Sequence, residues 1–155
     1  MVRRWMATWG RQAVVLGFGI LVGGWLFDDT QPRSLLKIGN ACGATCARFS
    51  DIAGLAASVG IQHIPQAMPL AVKENATCIA IRHPYSPHRY HFVFFPKRDI
   101  RNVGDIAAGD EPFVMGCLAL MRMLITEHGL VSYRMYSNGP LEQDITYLHF
   151  HLVSD

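Results

Sequence analysis

Cysteine is scarce in this 155-residue chain: four residues, too few for a disulfide scaffold to define a small fold. Charge is scarce as well, at 17%, while half of the residues are hydrophobic, an apolar balance for a domain of this length. Three of the 14 Lys and Arg precede residue 13, so that from Asp28 onward 11 bases meet 12 acids, a net of −1. Such a balance excludes a general nucleic-acid-binding field. There is no internal repeat and no low-complexity segment, which excludes solenoids and compositionally biased tails. What remains is room for one modest domain and a short appendage.

The appendage is at the front. No charged residue occurs in Ala13–Phe27, AVVLGFGILVGGWLF, and the residues before it carry Arg3, Arg4 and Arg11 but no acid. Fifteen helical residues reach about 22 Å, short of a hydrocarbon core of roughly 30 Å. Counting from Trp5 to Phe27 gives 23 residues, enough to span if Arg11 snorkels and Trp5, Trp9 and Trp25 sit near the interfaces. The sequence therefore predicts an N-terminal transmembrane helix over 1–27, a retained anchor or uncleaved signal, since no small-x-small cleavage site follows it. A cleaved signal and a buried helix are the competing readings. The leading arginines place the N-terminus in the cytoplasm and the remainder on the opposite side, periplasmic if the source is bacterial. Gly19 and Gly23 have close-packing spacing, although glycine is common in such helices.

Residues 28–66 read as a helical connecting region, with Leu35 and Ile38, then Ile52, Leu55 and Val59, at helical spacing. Cys42 and Cys46 fit unpaired thiols, a small-loop disulfide or half a zinc site. Cys78 and Cys117 lie in apolar stretches and read as core. From Ala67 the period becomes two. Strands are predicted at Met68–Val72, Thr77–Arg82 and Tyr90–Phe95, the last closed by Pro96. Asp110 is a candidate N-cap with Pro112 in the first turn; Phe113, Cys117, Met121, Leu124, Ile125 and His128 then follow a helical face to Gly129. Strands at Val131–Ser137 and Ile145–Val153 complete an α+β domain over 67–155, an antiparallel sheet with a long helix packed on one face.

The last strand carries the chemistry. Alternation puts Tyr147, His149 and His151 on one face and Leu148, Phe150 and Leu152 on the other. Imidazoles and a phenol side by side can hold a phosphate, move its proton or attack its phosphorus near neutral pH.

With these residues in place, Val72 to Val153 resembles the histidine triad (HIT) superfamily of nucleotide hydrolases and transferases. The family strand is His-φ-His-φ-His-φ-φ, usually after a Gln. Gln143, His149 and His151 match, and Tyr147 stands where the first histidine belongs. The segment Cys78–Lys97, with its proline loop and His91-φ-φ-φ-φ-Pro-Lys, is similar to the family's central strands. Ser132–Asn138 is similar to its strand ending in a ligand-contacting Asn. The resemblance implies the following roles. His149 attacks the α-phosphorus of a nucleotide conjugate and forms a nucleotidyl-histidine, while His151, Tyr147 and His91 complete the catalytic group. Asn138, Gln143, Asp144 and His83 bind substrate, with His83 where many members place a ribose-gripping acid. No cofactor and no metal are required. A nucleotide or nucleotide conjugate is the expected partner, a membrane is contacted through residues 5–27, and the resemblance adds a homodimer or a membrane-complex subunit.

Two other functions fit the same residues. Tyr147, His83 and a short loop between Asn138 and Gln143 fit a degenerate HIT fold serving as accessory subunit or nucleotide-binding module. The anchor fits a lipid-nucleotide hydrolase resembling CDP-diacylglycerol pyrophosphatase. A zinc site built from His149, His151 and His91 is a third chemistry, but no carboxylate or cysteine is placed to join it.

Overall fold

A computed structural model describes the backbone of residues 2–33 and 48–155, and the side chains of 11–33 and 48–155. Helix α1 (Val2–Phe27) is continuous. The transmembrane helix expected over 1–27 is not found: among the described residues no helix is long and apolar enough to cross a membrane. The apolar run by itself is too short, as its 15 residues imply. Val14, Val15, Leu16, Phe18, Ile20 and Leu21 of α1 are all more than 60% exposed, so this stretch of the helix buries little. Its end docks: Trp25 lies 4.5 Å from the His63 ring, centroid to centroid.

The chain then returns to the domain through a buried ion pair. Arg33 donates Nη1 and Nη2 to the two Asp99 carboxylate oxygens at 2.9 and 2.6 Å. The Gln31 N–H donates to the same carboxylate at 2.7 Å. Leu35, Ile38, Cys42 and Cys46 lie outside the described residues.

Helix α2 (Phe49–His63) contains Ile52, Leu55 and Val59 as their spacing predicts, but its buried residues are Asp51, Gly54, Ser58 and Ile61, and Ile52 is exposed. Five strands follow the predicted order: β1 (Ala71–Glu74), β2 (Cys78–Arg82), β3 (Tyr90–Pro96), β4 (Arg134–Tyr136) and β5 (Phe150–Ser154). They form one antiparallel sheet in the order β1-β2-β3-β5-β4. Between β3 and β4 runs helix α3 (Glu111–His128), ended by Gly129 at φ 62°, the left-handed conformation that favours glycine. Asp110 precedes α3, but its side chain does not cap the helix. It accepts the Ala107 N–H and pairs with Arg98 instead.

Alternation along the strands separates two cores. On one face Cys78, Ala80, Phe92, Phe94 and Leu152 pack against Cys117, Leu120, Met121 and Leu124 of α3. Cys78 and Cys117, expected as core thiols, are joined as a disulfide that fastens β2 to α3 across 39 residues. On the other face Ile79, Val93, Phe95 and Tyr147 pack with Ile61 of α2. The sheet is thus covered on both faces rather than the one expected, with α2 over the second.

Candidate active site

The site lies on the α2 face, built from β3, β5 and the segment entering β5. The expected strand Ile145–Val153 is shorter, because residues 146–148 spend their backbone donors elsewhere. Thr146 N–H donates to Ser50 O of α2 at 3.0 Å, and Leu148 N–H to Ile100 O at 2.6 Å. Tyr147 is consequently drawn inward. It is fully buried, and its hydroxyl donates to Pro96 O at 2.5 Å. Burial raises its phenol pKa well above the ordinary value. The phenol expected beside the two histidines is a core group that does not face them as a catalytic partner.

Tyr147 enters the site through its carbonyl. His149 is buried, and its Nδ1 lies 2.7 Å from Tyr147 O. A carbonyl only accepts, so the proton is on Nδ1. Burial lowers the His149 pKa, offset in part by this hydrogen bond and by the Asp144 charge. The ring is therefore neutral at pH 7, and Nε2 carries a lone pair. That is the arrangement of a nitrogen nucleophile.

His151 stands edge-on to His149, with ring centroids 4.9 Å apart. Its Nδ1 is 2.9 Å from His91 Nε2 across the β3–β5 pairing. Its Nε2 is buried and has no hydrogen-bond partner among the described residues. The Tyr136 ring stacks on it at 4.6 Å. Burial, then the neighbouring imidazoles, push the His151 pKa down to about 3 and the His91 pKa down to about 4. On the far side of His91, its Nδ1 is 2.9 Å from Ser86 Oγ.

His83 stacks flat on His91, with centroids 4.3 Å apart. Its Nδ1 accepts the Tyr85 N–H at 3.3 Å, so the ring's remaining nitrogen is a donor and cannot replace an acidic acceptor. His88 donates Nδ1 to the Asp155 carboxylate at 2.6 Å and so ties this loop to the C-terminus. Gln143 is buried, and its Nε2 is 3.5 Å from the same Tyr147 carbonyl that holds His149. It also lines a cavity of about 370 Å³ with Arg33, Arg48, Asp51, Arg101 and Asp105. Asn138 is half-buried beside Ser137, whose hydroxyl donates to His149 O at 2.8 Å. Asp144 is exposed and acts on His149 through charge alone. Among the described residues no group of three or more His, Cys, Asp or Glu side chains is arranged to hold a metal ion, so the proposed zinc set is not assembled.

Sequence reasoning missed Ser86, Tyr136 and Phe95, whose ring lies 5.4 Å from that of His149. The period-two pattern contains a signal for Phe95, which shares a face with His91 and Val93. Ser86 lies in an irregular loop where spacing carries no direction.

This sheet, with α3 on one face and paired imidazoles on the other, is the fold of the HIT family hydrolases. Among solved structures, the HIT family hydrolase of Clostridium thermocellum superposes with a TM-score of 0.56 at 22% identity, covering 63% of this chain and 89% of that one. The HIT family hydrolase of Legionella pneumophila Philadelphia 1 gives 0.55 at 22% identity, covering 61% and 88%. A histidine triad protein of Clostridium difficile gives 0.55 at 19% identity, covering 70% and 93%. No protein-family model matches the chain, and no curated protein matches it. At these identities the likeness establishes the fold.

Proposed function

We propose that the protein is a HIT-type nucleotide hydrolase or transferase in which His149 attacks the α-phosphorus of a nucleotide conjugate. The observation that carries this reading is the His149 Nδ1 contact to Tyr147 O at 2.7 Å, which leaves Nε2 as a lone pair aimed away from its own backbone. As the Nε2–P bond forms, the bond from phosphorus to the leaving oxygen or nitrogen breaks, and the leaving group departs with the electron pair and takes a proton from solvent. The phosphorylated ring becomes cationic. Its Nδ1–H then binds the Tyr147 carbonyl more strongly, a gain realised as charge develops. Water then attacks the phosphorus, the Nε2–P bond breaks with its electron pair returning to Nε2, and water's proton is released to solvent, which restores the neutral ring.

His151 supplies a hydrogen bond to the phosphoryl oxygens from its unpartnered Nε2, a preorganised contact of the type that dominates such reactions. His91 orients it. Asn138, Gln143 and Asp144 border the phosphate and leaving group, and His83 offers a donor to the nucleoside.

The proposal extends to location. Helix α1 presents an apolar surface behind three arginines, and the Cys78–Cys117 bridge fits an oxidising compartment. Both support a domain tethered to a membrane through α1 and facing its oxidising side. A binding module without turnover is the second reading, favoured by the withdrawal of the Tyr147 phenol from the site. Full-length protein in detergent, offered adenosine and guanosine phosphoramidates and a CDP-lipid, decides between them. Turnover that is lost in His149→Asn supports the enzyme; saturable binding without turnover supports the module.

A further inference from the structure

Neutral imidazoles have one N–H each, so the direction of every hydrogen bond in the His91–His151 pair fixes the next. The line begins at Ser86. Its Oγ accepts the His88 N–H at 3.2 Å, and the other group within hydrogen-bond distance among the described residues is His91 Nδ1 at 2.9 Å. If the hydroxyl donates to His91 Nδ1, the His91 proton is on Nε2. That proton then points at His151 Nδ1, 2.9 Å away, and the His151 proton must be on Nε2. Reversing the first bond reverses all of them, and His151 would present a bare lone pair.

The two outcomes differ at His151 Nε2, a buried nitrogen with no partner among the described residues. Phosphoryl oxygens only accept. A lone pair there would repel them, whereas an N–H would bind them. The forward direction also satisfies the Ser86 hydroxyl, which the reverse direction leaves without an acceptor among the described residues.

We infer that Ser86 is a positioning residue that sets the proton of His151, through His91, so that Nε2 carries the N–H. The catalytic consequence rests on the phosphoryl-transfer reading above, but the proton position itself does not. The low pKa values of His91 and His151 keep both rings neutral at pH 7, where the relay has a single direction. Ser86 does not touch substrate. It acts as an outer partner orients a metal-bound histidine, and loss of such partners costs about 10- to 100-fold.

The test uses full-length protein in detergent micelles, labelled with nitrogen-15 at histidine, in wild-type, Ser86→Ala and Ser86→Thr forms. Long-range proton–nitrogen spectra at pH 7 read the tautomer of each ring. We expect His91 and His151 protonated at Nε2 in the wild type, a mixture with the Nδ1 tautomer in Ser86→Ala, and the wild-type pattern in Ser86→Thr. With adenosine phosphoramidate, kcat falls about tenfold in Ser86→Ala at a KM within about twofold, and Ser86→Thr recovers it. Wild-type His151 protonated at Nδ1, or tautomers unmoved by Ser86→Ala, overturns the inference. Tautomers that respond in a protein with no turnover uphold the relay and sink the enzymatic reading instead.

Discussion

Acidification should destabilise this domain before its carboxylates titrate, and the imidazole pair sets the size of the effect. His91 and His151 have pKa values lowered to about 4 and about 3, from 6.5. Well above pH 6.5, from about pH 8 upward, neither the folded nor the unfolded chain binds protons at these rings, so they contribute nothing to the pH dependence. Between 6.5 and 4 the unfolded chain takes up protons that the folded chain refuses, and stability falls as pH falls. From pH 7 to 4.5 the loss is about 5 kcal/mol if the rings titrate independently, and about 3 kcal/mol if one shared proton is counted once. His149, also lowered, acts in the same direction. Urea unfolding at fixed ionic strength measures this. With a slope of about 1–3 kcal/mol/M, the midpoint should drop by about 1–5 M between pH 7 and 4.5. The variant with both His91→Asn and His151→Asn should lose most of that dependence. A wild-type midpoint that is flat across this range, or an equal slope in the double variant, would refute the reasoning.

Three further outcomes follow from the geometry. Tyr147→Phe leaves Pro96 O without its donor and should cost about 1–2 kcal/mol while kcat stays within about twofold; a large loss of kcat without destabilisation would return the phenol to the chemistry. A Cβ on Gly54 would sit 2.7 Å from Thr146 O, so Gly54→Ala should cost about 1–3 kcal/mol by thermal unfolding and lower kcat by displacing the run into His149. Reducing the Cys78–Cys117 bridge, which closes a 39-residue separation, should remove about 4 kcal/mol, read as a fall in urea midpoint with reductant.

Elements with strong local periodicity were legible in the sequence. The apolar face of α3, the β2–β3 pair and the inward Leu152 all appear in the alternation of residues, because period alone says which side chains share a face. Around His149 that rule fails. Thr146 and Leu148 hydrogen-bond to Ser50 and Ile100, partners distant in the chain, and Tyr147 follows the backbone into the core. The Cys78–Cys117 bridge was hidden for the same reason: each cysteine reads as an ordinary apolar residue until β2 and α3 are set side by side. The short apolar run was legible as helix α1, but its length left the span dependent on Trp5 to Gln12. Ser86 was invisible because a loop between two prolines gives no direction to its side chain.

The most direct measurement is the mass of the full-length protein after millisecond mixing with adenosine phosphoramidate and an alkaline quench that preserves phosphorylated imidazole. The account predicts a transient gain of one nucleotidyl group, confined to the peptide containing His149 and missing in His149→Asn. Turnover with no such adduct, or an adduct carried by His91 or His151 instead, would contradict it.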